Sequence, residues 1–129
     1  MSYTPYPAGT MLIPSGPADH KHLFIVVTKL CVDGQHLLFS VSSVKPHVGY
    51  DEACELTGGE HEFIAKHSYI YYRKPDRRRA DNISRMVEKK YFILKNDLAK
   101  THFERVCAGI TLSKFTTPAT LKYFRANSP

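Results

Sequence analysis

The stretch LFIVVTKLCVDGQHLLFSVSSV, residues 23–44, predicts a buried β-hairpin. Residues 23–28 form a continuous apolar run rich in β-branched side chains, which is typical of a strand covered on both faces. Asp33-Gly34 is a strong turn signal, and residues 36–44 then form the returning strand. Because successive side chains alternate along a strand, Ser42 and Ser43 are expected on opposite faces, with only one of them facing an open cleft.

Short extended segments separated by turns surround this hairpin. Residues 9–13 precede a proline turn, and residues 54–57 precede the Gly58-Gly59 turn. Residues 61–64 and 68–72 carry aromatic and β-branched side chains and are predicted to be extended as well. Five or six short strands joined by tight turns predict a small, strongly curved antiparallel barrel or half-barrel.

The hydrophobic period changes after residue 79. Asp81 is expected to cap a helix through about residue 89, and Asn96 or Asp97 to cap a second, longer helix. Residues 91–95 fit either a last strand or a buried linker, and Thr117-Pro118 predicts a short terminal helix. The predicted fold class is α+β, mainly β. It is one domain over residues 1–129, with a β-barrel portion in 1–79 and two or three helices in 80–129.

The net charge of +6 is distributed unevenly. Residues 1–64 carry three Lys or Arg and seven Asp or Glu, whereas residues 65–129 carry fifteen and five, which gives −4 and +10. Such polarity predicts one strongly positive face and a polyanionic partner, either RNA, another nucleic acid or an acidic protein. A basic surface that serves solubility alone is the alternative.

Several protein classes lack support in the sequence. No run of about 18 apolar residues exists, and the N-terminus has no basic segment before a long apolar one. We therefore expect no membrane partner and a cytoplasmic location. Cys31, Cys54 and Cys107 form no CxxC pair, which favours reduced, buried thiols. Walker, GxGxxG and GxSxG motifs are missing, so neither nucleotide triphosphate hydrolysis nor hydrolase-fold esterase chemistry is supported, and no cofactor is expected.

The segment GGEHEFIAKHSYIYYRKPDRRR, residues 58–79, concentrates reactive and basic side chains. RNA cleavage through the 2′-hydroxyl needs a base, an acid and cations that hold the phosphate. His61, His67 and Arg73 are candidates for these roles if a bend at Ala65-Lys66 brings the histidines together. Ser43 is an auxiliary donor. The alternative is a hydrogen-bonded turn histidine beside a packed tyrosine strand.

The same segment carries candidates for nucleic-acid binding. Tyr69 and Tyr71 are predicted to share one strand face, opposite Ser68, Ile70 and Tyr72, where they form a surface on which bases stack. RKPDRRR, residues 73–79, is predicted to be a flexible basic loop that holds phosphates. A solvated loop is the alternative. The candidates in this loop are Lys74, Arg77, Arg78 and Arg79.

A pair of histidines precedes the first strand of the hairpin. In DHKH, residues 19–22, an extended backbone turns His20 and His22 to the same side. A metal site is conceivable there, but no third ligand has a fitting spacing, so no metal is expected. A polar loop at the end of a strand is the favoured interpretation, with Lys21 and His22 as nucleic-acid contacts.

The segments PAGTMLIPSG, HKHLFIVVT and HLLFSVSSV together resemble the opening of MazF/PemK-type toxins, over about residues 7–73. GGEHEFIAKHSYIYYRK also resembles a motif of small barrel proteins carried on mobile elements and phages. The resemblance implies an SH3-like barrel, metal-independent endoribonuclease activity, an antitoxin partner and a homodimer. HKHLF replaces the Arg-Pro of the family, so by position Lys21 or His22 stands in for its catalytic arginine. Ser42 or Ser43 stands in for its Thr/Ser.

Two classes of function follow from these observations. The first is a toxin-like, metal-independent endoribonuclease that acts on single-stranded RNA in a bacterial toxin–antitoxin or mobile-element system. The second is a non-catalytic module that binds nucleic acid or protein, such as a phage or plasmid accessory protein that blocks a host factor. Histidines that converge with an arginine favour the first class, and histidines that are separated or buried in polar turns favour the second.

Overall fold

The computed structural model describes residues 3–17 and 20–129, in which seven strands and three α-helices occur. The strands are β1 (Thr10–Pro14), β2 (Lys21–Val26), β3 (Gln35–Ser43), β4 (Glu55–Leu56), β5 (Ser68–Ile70), β6 (Asp76–Arg79) and β7 (Ile93–Lys95). The helices are α1 (Ala80–Glu88), α2 (Lys100–Leu112) and α3 (Pro118–Asn127). No helix of the described residues is long and apolar enough to cross a membrane.

All seven strands belong to one antiparallel sheet, in which six follow the order β4-β5-β3-β2-β1-β7 and β6 pairs with β3 off this path. The nine-residue strand β3 is long enough to pair with two short strands along one edge, β6 beside its first half and β5 beside its end. The hairpin between β2 and β3 turns at Gly34, whose φ of 76° favours glycine. The predicted hairpin is confirmed.

Helices cover both faces of this sheet. Alternate residues of β2 point to opposite sides: Leu23 and Ile25 pack in a core cluster with α2 and α3, and Phe24 packs in a second cluster with α1. All three are buried. Strand β2 is therefore covered on both faces, which is why its sequence is a continuous apolar run rather than an alternating one.

The predicted α+β class and antiparallel sheet are confirmed, but within the described residues the sheet does not close into a barrel. Strands β4 and β7 end the sheet on its two sides. The loop between β4 and β5 reaches toward β7 through side chains instead of strand pairing, since Glu62 Oε1 accepts a 2.7 Å hydrogen bond from the amide of Asn96.

Two local predictions in the β portion are wrong. Residues 61–64 form a turn rather than a strand, and the His61 carbonyl accepts a hydrogen bond from the Ile64 amide at 3.0 Å. Residues 76–79 form strand β6 instead of a flexible loop, because their backbone pairs with β3 from Gln35 to Leu38.

The helix starts also differ from the prediction. Helix α1 has Arg79 rather than Asp81 at its N-cap, and α2 has Ala99 rather than Asn96 or Asp97. The start of α3 is confirmed, since the Thr117 hydroxyl accepts a hydrogen bond from the Thr120 amide at 3.2 Å. Residues 93–95 form β7, so the helical portion contributes a strand to the sheet.

Candidate functional site: a basic cleft and a row of tyrosines

A cleft of about 520 Å³ lies at one end of the sheet. Strands β2, β3 and β5 are antiparallel neighbours, with Leu23 opposite Val41 and Ser43 opposite Ser68. The start of β2, the end of β3 and the start of β5 therefore meet at the same end of the sheet. Residues 45–50 and 63–66 form the other walls. We call this the basic cleft.

The polar part of its lining is basic and rich in hydroxyl groups. Among the described lining residues there are three lysines, two histidines and three serines and no carboxylate: Lys21, Lys45, Lys66, His20, His22, Ser42, Ser43 and Ser68. The remaining lining residues are Leu23, Val41, Val48, Gly49, Tyr50, Phe63, Ile64, Ala65 and Tyr69. Asp19 lies outside the described residues. Since the lysines meet from three separate segments, their positive charge is concentrated in one concave surface.

Both Ser42 and Ser43 line the cleft, which corrects the prediction that only one of them faces it. The two side chains do alternate, and Ser43 is more exposed than Ser42. The cleft opens where β3 ends at Ser43, so it extends around the end of the strand and reaches both of its faces.

His22 is held in a defined orientation inside the basic cleft. The Ser15 hydroxyl donates to the Ile13 carbonyl at 3.0 Å, and Ser15 Oγ lies 2.6 Å from His22 Nδ1. Because a hydroxyl has a single proton, Nδ1–H donates to Ser15 Oγ, and Nε2 keeps its lone pair. The ring centroids of His20 and His22 are 4.7 Å apart and the rings meet edge-on, as expected for two side chains on the same side of the backbone. Burial lowers the pKa of His22, and His20 and Lys45 lower it further.

Three partly exposed tyrosines form a row beside the cleft. The ring centroids of Tyr50 and Tyr69 are 5.2 Å apart, and those of Tyr69 and Tyr71 are 6.4 Å apart. The predicted alternation of β5 is confirmed, since Ser68, Ile70 and Tyr72 are buried on the opposite face. We call Tyr50, Tyr69 and Tyr71 the tyrosine row.

One carboxylate positions the first residue of this row. Glu55 Oε1 accepts a hydrogen bond from the Tyr50 hydroxyl at 2.8 Å, and it lies 2.6 Å from His67 Nε2. The hydrogen bond to Glu55 raises the pKa of Tyr50. The His67 ring also meets the Tyr50 ring edge-on at 6.0 Å, and about half of the His67 side chain is exposed. His67 is not among the residues that line the basic cleft.

His61 is buried in a different place, between the start of β1 and the end of β7. Its Nδ1 accepts a hydrogen bond from the Phe63 amide at 3.0 Å, so Nε2 carries the proton. Nε2–H donates to the Asn96 carbonyl at 2.6 Å and lies 3.1 Å from the Thr10 hydroxyl. The structure does not bring His61 and His67 together, and the two rings share no hydrogen-bond partner among the described residues.

The predicted arginines divide between two regions. Arg73 lies next to Tyr71 at a second, smaller cleft. Arg77, Arg78 and Arg79 lie on β6 beside the first half of β3, and Leu37, the partner of Arg77, is about 20 Å from Ser43 along an extended strand. The exposed Lys74 lines neither cleft.

The β6 arginines already have local partners. The Arg77 guanidinium lies 4.0 Å from the Tyr123 ring centroid, and Arg78 Nε donates to Asp76 at 2.8 Å. Arg79 pairs with Asp81 at 3.2 Å. A role of these arginines in binding nucleic acid stays a prediction, separate from the basic cleft.

Sequence reasoning missed the contributions of Lys45, Lys66 and Tyr50 to this site. All three lie in loops at the sheet end where β3 finishes and β5 begins. The antiparallel pairing of the hairpin was predicted, so the loops at its open end were identifiable as neighbours. Among the described residues, no group of three or more His, Cys, Asp or Glu is arranged to hold a metal ion.

Comparison with protein-family models found no match to this chain. Comparison with curated proteins also found none.

Proposed function

We propose that the protein binds single-stranded nucleic acid, and specifically RNA, in the basic cleft. The observation that carries this proposal is the convergence of Lys21, Lys45 and Lys66 in a cleft whose described lining residues include no carboxylate. Lysine ammonium groups neutralise phosphates, which is the main source of affinity for nucleic acids. Two of these lysines, Lys21 and Lys45, come from the half of the chain with a net negative charge, so the fold concentrates positive charge in a concave surface.

The tyrosine row favours an unpaired strand over a duplex. Bases stack on aromatic rings only when their faces are free, and every base has such a face. Tyr69 lines the basic cleft and also belongs to the row, so phosphate and base contacts lie side by side. The hydroxyls of Ser42 and Ser43 favour RNA over DNA, because a 2′-hydroxyl can both donate to and accept from them.

Fluorescence anisotropy with labelled single-stranded RNA tests the charge contribution. For single strands, the logarithm of affinity falls with the logarithm of salt by about 0.7 for each neutralised phosphate. Substituting Gln for Lys21, Lys45 and Lys66 should therefore reduce this slope by about 2. A matched triple variant with Gln at the exposed Lys29, Lys100 and Lys122 loses the same charge outside the cleft and should keep most of the slope. If the salt slope falls equally in both triple variants, the lysines of the basic cleft do not form a specific site.

Stacking is tested separately at Tyr69. Tyr69→Leu keeps an apolar side chain but removes the flat ring, and it should weaken RNA binding by about tenfold, since stacking contributes about 1–3 kcal/mol per base. Duplex RNA of the same sequence should bind more weakly and be insensitive to Tyr69→Leu. A duplex that binds as tightly as the single strand would contradict the proposal of an unpaired ligand.

A metal-independent endoribonuclease is the second candidate function, and one observation favours it. His22 lines the basic cleft, and its lowered pKa favours the neutral imidazole, which is available as a base at neutral pH. Lys21, His22, Ser42 and Ser43, the residues that correspond by position to the MazF/PemK-type site, all line this cleft. If the protein is such an endoribonuclease, its unclosed sheet would be an opened relative of the SH3-like barrel.

An RNA cleavage assay with a metal chelator separates the two candidates. Cleavage that falls about 100-fold or more in folded His22→Gln supports an endoribonuclease with a base in the cleft. The other catalytic candidates are tested in parallel by His67→Ala, Arg73→Gln and Ser43→Ala. If the wild type binds RNA and does not cut it, the binding function stands alone.

The setting of either function belongs to the same proposal. An acidic protein, such as an antitoxin or a host factor blocked by a phage or plasmid accessory protein, would present carboxylates to the same three lysines. We propose a cytoplasmic location, where RNA is available, and a homodimer as the resemblance implies. Competition between RNA and a candidate acidic partner in the anisotropy assay tests the shared site.

A further inference from the structure

A second cleft of about 320 Å³ adjoins the basic cleft. Gly49 and Tyr50 line both clefts, so one residue of the tyrosine row forms the wall between them. The other lining residues of the second cleft are Asp51, Tyr71, Arg73, Lys114 and Phe115. Of the other two residues of the row, Tyr69 lines the basic cleft and Tyr71 lines the second cleft, so the tyrosine row borders both.

The second cleft contains a flat cationic surface. The Arg73 guanidinium carbon lies 3.9 Å from the centroid of the Phe115 ring, and Lys114 Nζ lies 5.3 Å from the same centroid. A guanidinium stacked on an aromatic ring keeps its edge free to donate to phosphate oxygens. The partly exposed rings of Tyr71 and Phe115 offer surfaces on which a base can stack.

Hydrogen bonds hold this surface in place before any ligand arrives. Asp51 is the one carboxylate among the described residues that line the second cleft. It accepts from the Ala53 amide at 3.0 Å through Oδ1 and from the Ser113 hydroxyl at 2.5 Å through Oδ2. Ser113 Oγ in turn accepts from the Phe115 amide at 3.1 Å. Asp51 is thus occupied in joining the loop at residues 49–53 to the connection between α2 and α3. With Arg73 and Lys114 opposite this carboxylate, the cleft keeps a net positive charge.

We propose that the second cleft is a subsite for another nucleotide of the same single strand. The strand would run from the basic cleft along the tyrosine row to Arg73 and Lys114. This inference rests on the proposed binding function, and it names the ligand more closely: an unpaired strand long enough to occupy both clefts. Single-stranded sites on one small fold span about 4–16 nucleotides, a range that admits two adjoining clefts.

The test is the dependence of affinity on strand length. Labelled oligo(U) RNAs of about 4 to about 16 nucleotides are titrated by fluorescence anisotropy at fixed salt. The wild type should gain about tenfold in affinity when the strand becomes long enough to reach Arg73 and Lys114. In Arg73→Gln/Lys114→Gln this gain should disappear, whereas the affinity for the shortest strand should stay within about twofold of the wild type.

Two matched variants separate the contributions. Lys100→Gln/Lys122→Gln removes the same charge from exposed helical positions that line neither cleft, and should keep the gain with length. Phe115→Leu removes a stacking surface without changing charge, and should reduce the gain while leaving the salt slope unchanged. Circular dichroism confirms that each variant is folded.

The outcomes distinguish this inference from the function on which it rests. The subsite is refuted, and RNA binding stands, if the affinity of the wild type does not increase with strand length. The same conclusion follows if Arg73→Gln/Lys114→Gln weakens the binding of short and long strands equally. If no strand binds at any length, the proposed function itself fails. The subsite is supported if affinity increases with strand length and only the variants of the second cleft reduce or remove this increase.

Discussion

His61 offers a direct test of whether the histidine that the sequence favours as a catalyst is instead a structural residue. In His61→Ala, the Asn96 carbonyl loses its 2.6 Å donor and the Phe63 amide loses its 3.0 Å acceptor. Net contributions of about 0.5–1.5 kcal/mol per hydrogen bond, together with the space left by a buried ring, predict a loss of about 2–4 kcal/mol in the free energy of unfolding. For a domain of this size, that loss lowers Tm by roughly 10 °C.

Urea unfolding followed by circular dichroism measures this loss, and the midpoint should fall with an unchanged m-value. His20→Ala is the matched control, because this histidine is exposed and its removal should cost less than about 0.5 kcal/mol. If His61→Ala unfolds at the wild-type midpoint and RNA cleavage is lost, His61 acts in the chemistry and the structural argument is refuted.

Three further predictions concern packing, pH and capping. Gly109→Ala should lower the free energy of unfolding by about 2 kcal/mol, because the added Cβ would lie 2.2 Å from the buried Tyr72 hydroxyl, which bonds the Val106 carbonyl. RNA affinity should rise as the pH falls from 7.5 to 5.5. Burial and positive neighbours hold the pKa of His22 below its usual 6.5, and bound phosphates should raise this pKa, so RNA binds the protonated imidazole more tightly than the neutral one. Thr117→Ala should cost about 1 kcal/mol by removing the cap of α3.

Each of these predictions has a control. Helix propensity alone predicts that Gly109→Ala stabilises α2 by about 1 kcal/mol. The direction in which the urea unfolding midpoint moves therefore decides between propensity and the overlap with Tyr72. The exposed Ala108→Gly measures the propensity contribution at the neighbouring position. His22→Gln should lose part of the pH dependence measured by anisotropy, and an unchanged profile would rule out His22 as the titrating group. For α3, Thr117→Ser should retain the stability that Thr117→Ala loses in thermal unfolding.

The hairpin and the alternation of β5 were predictable because both depend on local rules. Gly34 supplies the positive φ that the turn needs, and the two-residue period fixes Tyr69 and Tyr71 on one face whatever else the chain does. Helix starts depend on tertiary partners instead. Asp97 accepts a hydrogen bond from the Tyr6 hydroxyl, and the Leu98 amide donates to the Ala8 carbonyl. Residues 97 and 98 are thus fixed beside the start of β1, and α2 begins only at Lys100.

The basic cleft was only partly predictable because proximity in sequence and proximity in space differ here. Residues 58–79 contain the highest density of reactive side chains, yet the fold sends His61 inward, His67 to Glu55 and Arg77 to Tyr123. The lysines that converge come from three segments far apart in the chain. Their meeting follows from the pairing of β2 with β3, which the sequence indicated, and from the pairing of β3 with β5 and the loop geometry, which it did not.

The position of His61 links the stability of the fold to the shape of the cleft. The turn that His61 anchors continues into residues 63–66, which form one wall of the basic cleft and carry Lys66. His61→Ala should therefore weaken RNA binding even if His61 never touches RNA, and loss of activity in that variant alone does not identify a catalyst.

Thr10→Val resolves the ambiguity, because the buried Thr10 hydroxyl donates to the same Asn96 carbonyl at 2.7 Å and cannot reach a ligand. If the anchor is what matters, Thr10→Val costs about 1 kcal/mol and reduces RNA affinity in the same direction as His61→Ala, with non-additive effects in the double variant. If Thr10→Val leaves binding and cleavage unchanged while His61→Ala abolishes cleavage, the imidazole itself takes part in the reaction.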